Sequence, residues 1–204
     1  VVHERLLYTS NFVRVSMKSL KLSSRPLSLT EIDPLDIVLS VKGVMDLATP
    51  DDIAFAERVD FTIDEPFLEY LYAQGVPVSY MSLKKDIYTP KYSAFMNEIL
   101  DLKDLYSIPR PFELAEMLGV DFPRAYIART ALGGSYPSGH AAMARYFAHA
   151  LSEVYLAPNG ELHRAELFRI ANQIAWSRVQ IGVHSIYDIE EGKRLADQLF
   201  ADMR

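Results

Sequence analysis

Three groups of polar residues in this sequence have the types and spacing to hold and attack an anion. The first is Lys103, followed at Arg110 by a second cation and Pro111. The second is Pro137-Ser138-Gly139-His140, preceded by Gly133-Gly134-Ser135-Tyr136. The third is Ser177-Arg178, then His184, then Asp188. Ser138 and Gly139 stand where a helix opens, so its first N–H groups lack intrahelical partners. The glycine lets an anion approach the backbone, and hydroxyl, N–H groups and positive helix end together make an anion site with His140 at its lip. His184 and Asp188 are four residues apart. If the last helix begins near His184, both lie on one face, and the carboxylate fixes the tautomer and raises the basicity of the imidazole. Two histidines and one acid without further clustered ligands make a poor metal site.

Each group alone is also compatible with ordinary structure: a capped helix start, a surface ion pair, a solvated lysine. The Lys–Arg-Pro spacing even occurs twice, because Lys18 and Arg25-Pro26 repeat it. That copy lies far from Ser138, whereas Arg110-Pro111 closely precedes Pro137, so the Lys103 copy is taken as functional.

Together the groups resemble the signature of the type 2 phosphatidic acid phosphatase and vanadium haloperoxidase superfamily. Lys103, Arg110, Pro111, Pro137, Ser138, Gly139, His140, Ser177, Arg178, His184 and Asp188 fill the pattern in order, and Gly192 follows. The resemblance spans about residues 103–192 and implies an all-α fold. It makes His184 the nucleophile of a phosphohistidine mechanism, with Asp188 orienting it. His140 becomes the acid that protonates the leaving group and then the base that activates water. Lys103, Arg110, Arg178, Ser138 and Gly139 would hold the phosphate oxygens, with no metal and no other cofactor required. Vanadate would be an inhibitor, or the cofactor of a haloperoxidase in the alternative reading. A silent oxyanion-binding module is a further alternative, disfavoured because both histidines and the aspartate are present.

Within the superfamily the Gly134–His140 stretch is most similar to soluble bacterial class A acid phosphatases, and this implies a phosphate monoester hydrolase acting on a small phosphorylated substrate, with a homodimer as a possible assembly. Those enzymes are exported, which places the chain in the periplasm or outside the cell if a leader has been removed and in the cytoplasm otherwise.

The elements that must carry these residues follow from periodicity and punctuation. The chain has 204 residues, half of them hydrophobic, with no cysteine and a net charge of −6. That composition suits one soluble domain with a substantial core, and excludes disulfides, thiolate metal sites and a cysteine nucleophile. The charge argues against nucleic-acid binding. No apolar run reaches the length of a membrane-spanning helix. Residues 1–32 read as a basic arm, with Arg5, Arg14, Lys18, Lys21 and Arg25, and residues 33–204 as a helical phosphatase domain.

Helix starts are expected at Pro34, Thr49-Pro50, Asp64-Glu65, Pro90 and Pro111. Longer helices are expected at about 138–157 and 162–181, with Leu167, Ile170, Ala171, Ile174 and Ala175 on one face, and a last one from near Tyr187. The segment from Gly75 to Pro90 reads as a loop whose Lys84 and Lys85 are solvated or line an entrance. Trp176 reads as a core anchor, and His3, His149 and His163 as structural or surface residues. The expected architecture is an all-α bundle with peripheral helices.

Overall fold

The computed structural model describes residues 32–155 and 161–201, and within them every regular element is an α-helix. The basic segment at 1–32, with Lys18, Arg25 and His3, lies outside the described residues except for Ile32. The helices are α1 (Pro34–Asp46), α2 (Pro50–Arg58), α3 (Glu65–Ala73), α4 (Tyr80–Ile87), α5 (Pro90–Tyr106), α6 (Pro111–Leu118), α7 (Gly139–Val154), α8 (Glu161–Gln180) and α9 (Ile186–Ala201).

Most starts are set by local chemistry. Proline occupies the first turn of α1, α2, α5 and α6, where its missing N–H leaves no bond unmade. Asp33, Thr49 and Thr89 cap α1, α2 and α5 with side-chain oxygens. One element departs from the sequence reading: 80–87, expected as loop, is α4. It is opened by a reciprocal pair in which Ser79 and Ser82 each accept from the other's backbone N–H, and it buries Leu83 and Ile87.

The long helix α7 is the centre of the bundle, packed against α8 and α9. Its buried residues alternate small and large, with Ala144 and Ala148 beside Tyr146, Phe147 and Leu151. Small residues let α8 and α9 come close, while Phe147 meets Phe67, Tyr88 and Tyr92 from the peripheral helices at ring separations of 5.7 to 5.9 Å. From α8, Leu167, Ile170, Ala171, Ile174 and Ala175 are all buried, as the periodicity predicts. Trp176 is not the core anchor expected. It is 41% exposed, because its neighbours Ala175 and Ser177 take the inward positions.

The backbones of α9 and the start of α7 approach closely. A Cβ on Gly192 would collide with the carbonyl oxygen of Ser138 and stand 3.1 Å from the N of Ala142. Ser138 N–H also donates to the carbonyl of Asp188 at 2.9 Å. This contact sets the register between the helix that carries Asp188 and the one that carries His140. Alanine in place of Gly192 gains about 1 kcal/mol of helix propensity. The collision with backbone that cannot yield costs about 1–3 kcal/mol. Gly192→Ala is therefore expected to lower the urea midpoint and to shift the Ser138–His140 turn. An unchanged or raised midpoint would show that the helices have slack here.

Candidate active site

The eight site residues predicted from sequence come together in one largely buried place, each delivered by the end of a helix or the turn beside it. Lys103 lies in the last turn of α5, which ends when Ser107 enters the left-handed region (φ 46°) and bonds back to the Lys103 carbonyl. Arg110 then caps α6, with its N–H held by Glu113 Oε2 at 2.7 Å. The spacing between the two cations is thus one helix end, a turn and the next helix start.

Arg178 sits in the last turn of α8. Gly182, at φ 72°, reverses the chain, and the N–H groups of Val183 and His184 both return to the Arg178 carbonyl at 3.1 and 3.3 Å. That turn fixes the distance between Arg178 and His184. The last helix starts at Ile186, close to the expected Tyr187, so His184 precedes α9 and the condition for a helical alignment with Asp188 is not met. The pair is still close, because Asp188 is in the first turn of α9 and Nδ1 of His184 is 3.6 Å from its Oδ2.

That separation is just beyond direct hydrogen-bond range, and the hydroxyl of Ser135 completes the link. Ser135 Oγ donates to Asp188 Oδ2 at 2.6 Å and lies 3.4 Å from His184 Nδ1. Since the hydroxyl proton goes to the carboxylate, Nδ1 is the protonated nitrogen and Nε2 carries the lone pair. The Ser185 N–H also donates to Oδ2 at 2.6 Å. Burial alone would raise the Asp188 carboxyl, but these bonds and the imidazole hold it below its usual range. Burial, followed by the Lys103 and Arg110 charges, outweighs Asp188 at His184 and pushes its pKa down to about 3. The imidazole is therefore neutral across the ordinary pH range.

The cations are buried as well. Lys103 Nζ donates to the carbonyls of Gly134 and Ser135 at 2.8 and 3.1 Å, and its Cε passes beside Gly139. Burial, then the charge of Arg110, brings its pKa down to about 7. Arg110 bonds the carbonyls of Leu132, Gly133, Gly134 and Val183. The Gly133-Gly134-Ser135 stretch is thus pinned by two site cations.

Arg178, 1% exposed, gives one guanidinium nitrogen to Asp60 Oδ1 at 2.7 Å and another to the Ala56 carbonyl at 3.2 Å. Its Nε–H is buried with no hydrogen-bond partner. An unpaired buried donor on a cation is costly unless an acceptor arrives, and an oxyanion is the acceptor such a fork suits.

Ser138 caps α7, and its Oγ accepts from Ala141 N at 3.4 Å. The Gly139 and His140 N–H groups precede the first intrahelical donor, Ala142, and so belong to the positive helix end. His140 Nε2 is 3.2 Å from the Asp60 carbonyl. A carbonyl only accepts, so Nε2 carries hydrogen and Nδ1 is the nitrogen left for chemistry. Burial, then Arg178 and His184, holds the His140 pKa well below 6.5.

Residues 91–196, just over half of the chain, match the PAP2 superfamily. The chain belongs to the PAP2 superfamily. All eight predicted site residues fall inside the matched region. A solved structure, that of the first transmembrane PAP2 type phosphatidylglycerolphosphate phosphatase from Bacillus subtilis, is similar at 18% identity and a TM-score of 0.47, over 85% of this chain and 84% of that one. No curated protein is matched. Among the described residues, no helix of this PAP2 chain is long and apolar enough to cross a membrane.

Two residues bonded to the predicted site residues were not singled out from sequence. Ser135 stood within the quoted Gly134–His140 stretch and could have been flagged as a third hydroxyl beside the cap. Asp60 had no signal: it is one acid among 27, in the turn that follows α2 and 118 residues from the arginine it holds. Outside the site, His149 pairs with Asp197 at 2.7 Å and His163 with the Tyr70 hydroxyl at 2.8 Å, so both are structural. Lys84 lies on α4 with its ammonium 4.6 Å from the centre of the Tyr80 ring.

Proposed function

We propose that the protein is a metal-independent phosphatase that hydrolyses phosphate monoesters through a phosphohistidine at His184, in the manner of an acid phosphatase. One observation carries the reading. A neutral imidazole, with Nδ1 tied through Ser135 to Asp188, stands among three buried cations, one of which has an unpaired Nε–H. Nothing in the packing of a helical bundle needs that arrangement, whereas phosphoryl transfer needs each part of it.

In the proposed reaction the substrate phosphate lies between Lys103, Arg110 and Arg178, with the Ser138 hydroxyl and the Gly139 N–H on its remaining oxygens. His184 Nε2 attacks phosphorus in line, a P–N bond forms, and the bond from phosphorus to the ester oxygen breaks. His140, as imidazolium, gives its Nδ1 proton to the departing alkoxide. Burial and Arg178 favour neutral His140 before a substrate is bound. The incoming phosphate offsets that with its own negative charge, and a monoanionic substrate supplies the proton. Neutral His140 then takes a proton from water, hydroxide attacks phosphorus, and His184 leaves with orthophosphate released. The three cations do the charge stabilisation that metal ions do in other phosphatases.

The pH dependence follows from two groups. His184 is unprotonated, and so nucleophilic, above about 3, while Lys103 is charged below about 7. With p-nitrophenyl phosphate, kcat/KM is expected to be highest between those limits. It falls below the lower one as Nε2 is protonated, and above the upper one as Lys103 loses the charge that holds phosphate. Excess EDTA should leave the profile unchanged, and vanadate should inhibit competitively with substrate. Loss of turnover in EDTA, or its absence throughout pH 4 to 7, would contradict the reading. In the second case oxidation of bromide by peroxide in the presence of vanadate distinguishes the haloperoxidase alternative from a silent binder.

A further inference from the structure

We infer that Asp60, in the turn that follows α2, is a positioning residue that aims both Arg178 and His140 at the phosphate. The inference rests on the proposed phosphatase reading and extends it to a segment outside the matched family region. Asp60 is 2% exposed, and both of its carboxylate oxygens are occupied. Oδ1 accepts from Arg178 at 2.7 Å and from the Thr130 hydroxyl at 2.5 Å. Oδ2 accepts from the Arg129 N–H at 2.9 Å and from the Tyr126 hydroxyl at 3.1 Å. Its backbone carbonyl meets His140 Nε2 at 3.2 Å.

The arrangement divides the labour within one residue. Four donors around the carboxylate allow it no rotation, so the guanidinium bonded to it is also fixed, with its Nε–H left unpaired. The carbonyl decides which nitrogen of His140 is available to the leaving group. The charged and titratable groups facing His140 are Arg178, His184 and Asp60. Arg178 and His184 oppose its protonation, and Asp60 alone among them favours it. Asp60 stays ionised for this purpose: burial would raise its carboxyl, but the Thr130 hydrogen bond, the Arg178 charge and the Arg129 N–H hold it below its usual value. The residues that secure Asp60 come from the 126–130 segment, which runs on into the 132–134 carbonyls that hold Arg110. One acid therefore ties α2 and that segment to both sides of the site.

The test uses the full chain with Asp60→Asn and, as a milder change, Thr130→Val. Asparagine removes the charge and turns an N–H₂ towards one of the donors. Asp60→Asn is expected to lower kcat by about 10²-fold. With an alkyl phosphate, whose leaving group needs the His140 proton, the alkaline limb of the variant's kcat profile should move to lower pH, because the His140 imidazolium loses its one favourable neighbour. Thr130→Val should move both quantities in the same direction by a smaller factor, with little change in the urea midpoint. A purely structural role would lower stability and the active fraction, and would leave the limb where it is.

A second readout does not depend on turnover. In nitrogen-15 spectra the Arg178 Nε–H should be a slowly exchanging resonance that shifts when orthophosphate is added, and Asp60→Asn should abolish its protection. A folded variant of either kind with unchanged kcat, an unmoved limb and a protected Nε–H overturns the inference. A wild-type protein that does not turn over overturns the phosphatase reading instead, and the resonance then decides the role of Asp60.

Discussion

Alanine at His184 is expected to abolish hydrolysis of p-nitrophenyl phosphate, with kcat lowered by at least about 10⁴-fold. The side chain is fully buried among the cations, so its removal takes away the one neutral nitrogen placed to attack. The cations remain, and with them the capacity to bind orthophosphate. Calorimetry should therefore show a phosphate affinity within about tenfold of wild type while turnover is gone, the pattern of an interaction made in the transition state alone. Because His184 Nδ1 lies next to the Ser135–Asp188 pair, loss of the ring leaves that pair bonded to itself and to the Ser185 N–H. The fold should survive. Steady-state assays at pH 5 with the folded variant measure the loss directly. Residual turnover within about tenfold of wild type would mean that another group attacks phosphorus.

The second large effect is a change of rate-limiting step. His140 is proposed to act twice, as acid when the ester bond breaks and as base when water attacks. p-Nitrophenolate leaves without a proton, so His140→Ala should still be phosphorylated by p-nitrophenyl phosphate. Its water step should be slowed by about 10²–10⁴-fold, the usual contribution of a positioned acid–base group. Rapid quench should then show a burst of p-nitrophenolate equal to one per site, followed by a slow steady state. An alkyl phosphate, whose leaving group does need the proton, should show no burst and a larger total loss. Equal losses with both substrates and no burst would remove His140 from the chemistry.

Much of this site was legible because its parts are local. Lys103 to Arg110 spans a helix end and the next helix start, and Ser138 to His140 is one helix cap. Ser177-Arg178 to His184 is a helix end closed by a glycine turn. Each is fixed by neighbours in the chain, so spacing alone carries it. The helices opened by proline and a capping side chain were legible for the same reason.

What depends on distant contact was not. Asp60 meets Arg178, Tyr126 and Thr130 only because α2 folds back towards the end of α8. Ser135 joins His184 to Asp188 across two segments, and spacing alone could not show that His184 lies in the turn before α9. Helix α4 was hidden because it is eight residues long, lies between Pro77 and Pro90, and is capped by two serines rather than by serine and glutamate. Trp176 was misplaced because α8 turns its small residues inwards at that level.

The proposed mechanism passes through a phosphoryl group on Nε2 of His184, and trapping that group tests it directly. Wild-type protein and His140→Ala are mixed at pH 5 with a phosphorus-32-labelled monoester, quenched in alkali, digested and mapped. Label is expected on the peptide containing His184, stable in alkali and lost in acid as a phosphoramidate must be, accumulating in His140→Ala and absent from His184→Ala. Label that survives acid, label on another residue, or wild-type turnover with no trapped phosphoryl group in either protein would contradict the mechanism.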